Sequence, residues 1–112
     1  MEQLNRVEIR GIVGYAHITD IGDTKIVRFS VATDYAYENR SGEHIIETTW
    51  HNVTALQRGN MPDLTKISKG MAIEVKGRLR IQRYVDAQGI DKTTYDILAS
   101  EITIINDKQP EE

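Results

Sequence analysis

Apolar and polar residues alternate with a period of two along most of this chain, which commits it to strands that each bury one face. The longest run, Met71–Val85, sets Ile73, Val75, Leu79 and Ile81 with Gly77 on one side. Glu74, Lys76, Arg78, Arg80, Gln82 and Tyr84 fall on the other. Four shorter runs accompany it. Asn5–Val13 alternates Val7, Ile9 and Val13 against Arg6, Glu8 and Arg10. Gly11 and Gly14 interrupt this run, as a strand that must bend or bulge to close a small barrel requires. Thr24–Tyr35 sets Val27, Phe29 and Val31 against Arg28, Ser30 and Ala32; Ile45–Leu56 is rich in threonine and β-branched residues; Thr93–Ile105 is the fifth. The polar segment from Tyr37 to Glu43 reads as a hairpin loop, and Gly89 marks another turn.

Between the third and fourth runs the pattern predicts one short helix. Asn60 is its candidate cap, Pro62 suits the first turn, Asp63 favours the positive dipole end, and Gly70 stops it after about Ser68. Five strands alone are equally compatible with a sandwich or another small barrel. With the helix between strands three and four, the order fits an all-β fold with one short helix, a five-stranded OB-fold barrel. Residues 1–106 are expected to form this domain and the polar residues 107–112 a short disordered tail.

Composition narrows the chemistry. The chain has no cysteine, which excludes disulfides, thiolate metal sites and cysteine nucleophiles. No apolar run reaches the roughly 18 residues of a membrane helix, and the first residues lack a secretory pattern, so a cytoplasmic protein is expected, without a membrane partner. His17, His44 and His51 have no metal-ligand spacing, and Asp20 and Asp23 read as turn residues. No glycine-rich phosphate loop opens a helix. No catalytic residue, metal or cofactor is expected.

Net charge is −3, which alone argues against a nucleic-acid partner. Its distribution argues the other way. From Arg58 to Lys92 eight basic residues stand against four acidic ones, whereas from Thr93 onward five acids face one lysine. On the polar side of the fourth strand, evenly spaced cations and Tyr84 offer what an unpaired DNA strand needs, charge for phosphates and flat area for bases. The same pattern also serves an outward face that only has to be wet, where lysine blocks edge pairing. In the third strand Trp50 shares a face with Thr48, Asn52, Thr54 and Leu56, a polar setting for a residue that usually goes to a core or interface. Tyr35 and Tyr37 flank the polar loop as either hydrogen-bonded surface residues or stacking platforms.

Four stretches carry a family resemblance: Asn5–Gly11, Phe29–Thr33, Glu47–Val53 and Lys69–Arg80. The Trp50-His51 pair followed by Lys69-Gly70 and Val75-Lys76-Gly77-Arg78-Leu79-Arg80 is the more specific part. Over about residues 5–105 the chain resembles the bacterial single-stranded DNA-binding proteins. The resemblance implies an OB fold, a homotetramer and non-specific binding of single-stranded DNA in replication, recombination and repair. The family's stacking aromatics fall on Trp50, Tyr37 and Tyr84, with Tyr35 close by; its basic positions fall on Arg80 and Arg83, alongside Lys76 and Arg78. Leu56, Asn52 and Gln82 depart from that pattern at one aromatic and two basic positions, which implies the same mode of binding at lower affinity. His51 matches a subunit-interface residue. Typical members end in a long linker and an acidic, hydrophobic tip that recruits replication and repair proteins. Asn106–Glu112 has the acidity but no hydrophobic tip, so a short form lacking that tip is expected. The rival is an adaptor resembling the primosomal replication protein N, a dimer acting through protein contacts.

Overall fold

A computed structural model describes residues 1–106; the tail expected at 107–112 lies outside the described residues. Five strands form: β1 (Val7–Ile21), β2 (Thr24–Glu38), β3 (His44–Leu56), β4 (Ala72–Val85) and β5 (Asp91–Asn106). They close into a barrel in the order β1-β2-β3-β5-β4, the OB-fold arrangement. The one parallel contact, Val53 with Ile97 and Thr54 with Leu98, closes it between β3 and β5.

Alternation delivers the core. Val13, Val27, Phe29, Val31, Val53, Ala55, Ile73, Val75, Ile97 and Ile102 are buried together. Leu64, Ile67 and Met71 join them from the β3–β4 connection. That connection is not the helix expected from Asn60 to Ser68. It is a single 3₁₀ turn, Leu64–Lys66, capped by Asp63. Around this turn Leu64 and Ile67 have to reach the core, and one tight turn presents residues three apart on the same side. The Asp63 carboxylate accepts from Thr65 N at 3.1 Å and Thr65 Oγ1 at 2.6 Å, while Gln57 Oε1 accepts from Leu64 N at 2.8 Å. Asn60 stays in the preceding turn.

The strands outlast the barrel. β1 runs on to Ile21 past a register shift between Val13 and Ala16, so the interruption read at Gly14 is a bulge within one strand, while Gly11 stays in regular register opposite Ile73. Tyr37 and Glu38, expected in a loop, belong to β2 and pair with Ile45 and His44. The turn is shorter because the Asn39 side chain tightens it, accepting from Ser41 N at 3.0 Å and Glu43 N at 2.9 Å. Leu79 and Ile81, expected beside Ile73 and Val75 in the core, are 44% and 52% exposed. β1 pairs with β4 only as far as Gly77. Beyond it β5 is the one strand that pairs with β4, with the Asn5 side chain bonding the Leu79 backbone on the free edge, and the two form an arm with no barrel interior to fill.

Candidate nucleic-acid interface

Across an antiparallel ladder, directly opposed residues share a face. Trp50 is opposite Ala32 on the outward side of the β2–β3 ladder, with Asn52 opposite Ser30 and Thr54 opposite Arg28. The indole lies over Gly14 of β1: a methyl group there would collide with the ring and with Ser30 Oγ. Gly14, Ser30 and Ala32 thus form a bed of small residues that fixes the tryptophan, yet it remains 60% exposed. Ser30 also accepts from Tyr15 N at 3.1 Å, satisfying the amide next to the bulge and setting Tyr15 beside Asn52. A groove runs between Tyr15, Trp50, Asn52 and Lys69.

This surface continues over a second groove that Arg28, Arg80, Gln82, Thr94 and Tyr95 line with Tyr15 and Asn52. Arg80 holds the Asp96 carboxylate through Nε at 3.1 Å and Nη2 at 2.8 Å. Thr54 Oγ1 donates to the same carboxylate at 2.6 Å. Burial pushes the Asp96 carboxyl up, but the hydrogen bonds from Arg80 and Thr54 outweigh it and hold the group below its usual range. The hydrogen bond to Asp96 likewise holds the Arg80 guanidinium more firmly protonated against its own desolvation. The pair ties β3, β4 and β5 together where the barrel closes. Because the folded carboxyl is depressed, its stabilisation is present above about pH 4 and is lost as pH falls through the folded value. Asp96→Asn is expected to lower stability at pH 7 by about 1–3 kcal/mol and to flatten the loss on acidification, as urea midpoints at pH 7 and pH 3 would show. Equal midpoints for both proteins at pH 7 would remove the pair from the account.

The other residues singled out from sequence are dispersed. On the β4–β5 arm, Tyr84 shares a face with Arg78, Arg80 and Gln82, whereas Arg83 lies on the opposite face with Leu79 and Ile81. Arg78 lines a separate groove with Arg6 and Arg58. Lys76 pairs with Glu101 at 3.4 Å and is in register with Glu8 of β1, on the side of the barrel away from β2 and β3. Tyr35 and Tyr37 stack at 6.0 Å between centroids, on the face of the β2–β3 arm opposite Trp50's. His51 is half-buried with Nε2 2.8 Å from Thr33 Oγ1, and burial lowers its pKa.

Tyr15, Lys69 and Tyr95 surround Trp50, and Arg28 lines the adjoining groove, without having been singled out as site residues. Tyr15 follows an interrupting glycine, and only the bulge turns it to this surface. Tyr95 has the same parity as buried Ile97, so alternation gives no sign that it is exposed. Among the described residues, no three His, Asp or Glu side chains gather as a metal ion would need, and no helix is long and apolar enough to cross a membrane.

Comparison with known proteins gives a consistent family. The Single-strand binding protein family matches residues 4–105. The single-stranded DNA-binding protein of Neisseria meningitidis serogroup A is 31% identical over 80 residues, 71% of this chain and 46% of that protein. The mitochondrial single-stranded DNA-binding protein of Drosophila melanogaster is 31% identical over 107 residues, 93% of this chain and 73% of its own. This chain therefore spans less than half the length of the Neisseria relative and most of the fly one. Among solved structures, a Plasmodium falciparum single-stranded DNA-binding protein in complex with single-stranded DNA aligns with a TM-score of 0.79 at 24% identity, covering 95% of this chain and 98% of that one. A deletion mutant of the Thermus aquaticus single-stranded DNA-binding protein aligns at 0.74 and 22% identity, covering 92% and 51%. At those identities the likeness is one of fold. The family match spans almost the whole sequence, and the chain belongs to the single-strand binding protein family.

Proposed function

We propose that this protein binds single-stranded DNA without catalysing a reaction, and protects it during replication, recombination and repair in the cytoplasm. One observation carries the reading: an exposed indole fixed on a bed of Gly14, Ser30 and Ala32, with Lys69 at its side and Arg28 on the adjoining groove. A flat ring supported from one side stacks a base on the other at little entropic cost, and cations nearby neutralise the phosphates. Tyr84, Tyr35 and Tyr37 supply further platforms along the two arms. Arg78 and Arg80 meet the backbone on one face of the β4–β5 arm and Arg83 on the other, with Arg80 partly neutralised by Asp96. Lys76 is reached by a strand that wraps the barrel.

The assembly we favour is a homotetramer, with a dimer as the alternative and with His51 at a subunit contact. Leu79, Ile81 and Val85 leave apolar area on the arm that a subunit or another protein covers. That same area supports the adaptor reading, in which protein contacts are the main activity and replication or repair proteins the partners. Light scattering separates the two, since a stable dimer favours the adaptor.

Salt tests the binding itself. The logarithm of the affinity is expected to fall with the logarithm of salt concentration at a slope near −0.7 per phosphate neutralised, so about five contacts give roughly −3.5. Anisotropy of labelled oligo-dT across a salt series measures the slope. A slope near zero would contradict the proposed interface.

A further inference from the structure

Three shallow grooves meet at Asn52. It lines one with Trp50, Tyr15 and Lys69, a second with Tyr15, Arg28 and Tyr95, and a third with Trp50 and Tyr95. Three aromatic side chains from β1, β3 and β5 thus ring one side-chain amide. Its Oδ1 lies 3.4 Å from the Tyr15 hydroxyl, a long contact that leaves the acceptor available, and among the described residues no group takes its Nδ2 hydrogens. Asn52 itself is exposed.

We propose that Asn52 reads the edge of one nucleobase held among Trp50, Tyr15 and Tyr95, so that this position recognises a hydrogen-bonding edge and not only a π-face. The inference rests on the single-stranded DNA reading above. Stacking asks only for flat rings, and phosphates ask for charge; an amide provides neither. What it does provide is a donor and an acceptor side by side in one plane, the complement of a base edge. The rings position the base and Lys69 takes its phosphate. Asn52 is then the group within reach of the base's perimeter. Tyr15 is a positioning residue, since its hydroxyl contacts the amide oxygen and its backbone is held by Ser30.

The test uses two short oligomers of about eight nucleotides, the scale of one OB-fold site. One is all thymidine. The other replaces every thymine with 2,4-difluorotoluene, an isostere that stacks but hydrogen-bonds poorly. Full substitution prevents the strand from sliding a normal base into the site. The unmodified protein is expected to prefer thymidine by roughly fivefold, the yield of one net hydrogen bond. Asn52→Ala is expected to bind both oligomers alike, and Tyr15→Phe to reduce the preference. Trp50→Ala is expected to weaken both while keeping their ratio. Equal or tighter binding of the isostere by the unmodified protein overturns the edge-reading role and leaves DNA binding intact. A preference that survives Asn52→Ala overturns it too. Failure of the unmodified protein to bind either oligomer overturns the underlying function instead.

Discussion

Gly77→Ala is expected to cost the barrel at least about 3 kcal/mol, a large part of what a domain of this size has. Gly77 sits where β4 passes from Lys76, opposite Glu101, to its own pairing with Ala99, across a register shift. A methyl group at this position would overlap the Leu98 carbonyl oxygen and stand 2.9 Å from its carbon and 3.0 Å from Ala99 Cα. All three are backbone atoms, so no change of rotamer relieves the clash. The strands would have to separate at the point where the β4–β5 arm leaves the barrel and where β1 pairs for the last time. Gly59 is the control. A methyl group there meets nothing within 4 Å, and Gly59→Ala is expected to stay within about 0.5 kcal/mol of the parent. Urea unfolding of both variants gives the comparison, and coincident midpoints would show that the close approach at Gly77 does not constrain the fold.

Trp50→Ala is expected to separate binding from stability. The indole is outside the core, resting on Gly14 and exposed over more than half its area, so its loss leaves Phe29, Val31 and Val53 packed as before. The affinity for oligo-dT is expected to fall by about 1–3 kcal/mol, or roughly 5- to 150-fold, with the urea midpoint nearly unchanged. Trp50→Phe retains a ring and is expected to recover much of the loss. If the midpoint fell together with the affinity, the tryptophan would be a structural residue whose removal disturbs the site indirectly.

Strand content and core were legible because alternation is a local signal: Val27, Phe29, Val31 and Val53 face inward as their spacing says. Leu79 and Ile81 show where that signal stops. Their spacing is the same as that of Ile73 and Val75, but parity names a face without saying whether anything covers it. Only the end of the β1–β4 pairing decides that. The short helix shrinks to one 3₁₀ turn for a related reason. Asn60, Pro62 and Asp63 are all acceptable at a helix start, and the choice among them was made by a tertiary contact from Gln57 to Leu64. In the site, Trp50 was findable from its polar neighbours along β3. Tyr15 and Tyr95 were not, because one depends on a bulge and the other lies in an arm that alternation cannot tell from the barrel. The surface ion pairs were equally hidden: Arg80 counted as a free cation until β5 brought Asp96 against it.

Titrating the protein with poly-dT while following tryptophan fluorescence, at low and at high salt, tests the central claim most directly, since Trp50 is the chain's single tryptophan. Strong quenching that weakens as salt rises is the expected result, because stacked bases meet the exposed indole face and the neighbouring cations hold the backbone. Unchanged fluorescence together with no mobility shift would contradict it, and would assign the Trp50 surface to protein contacts instead.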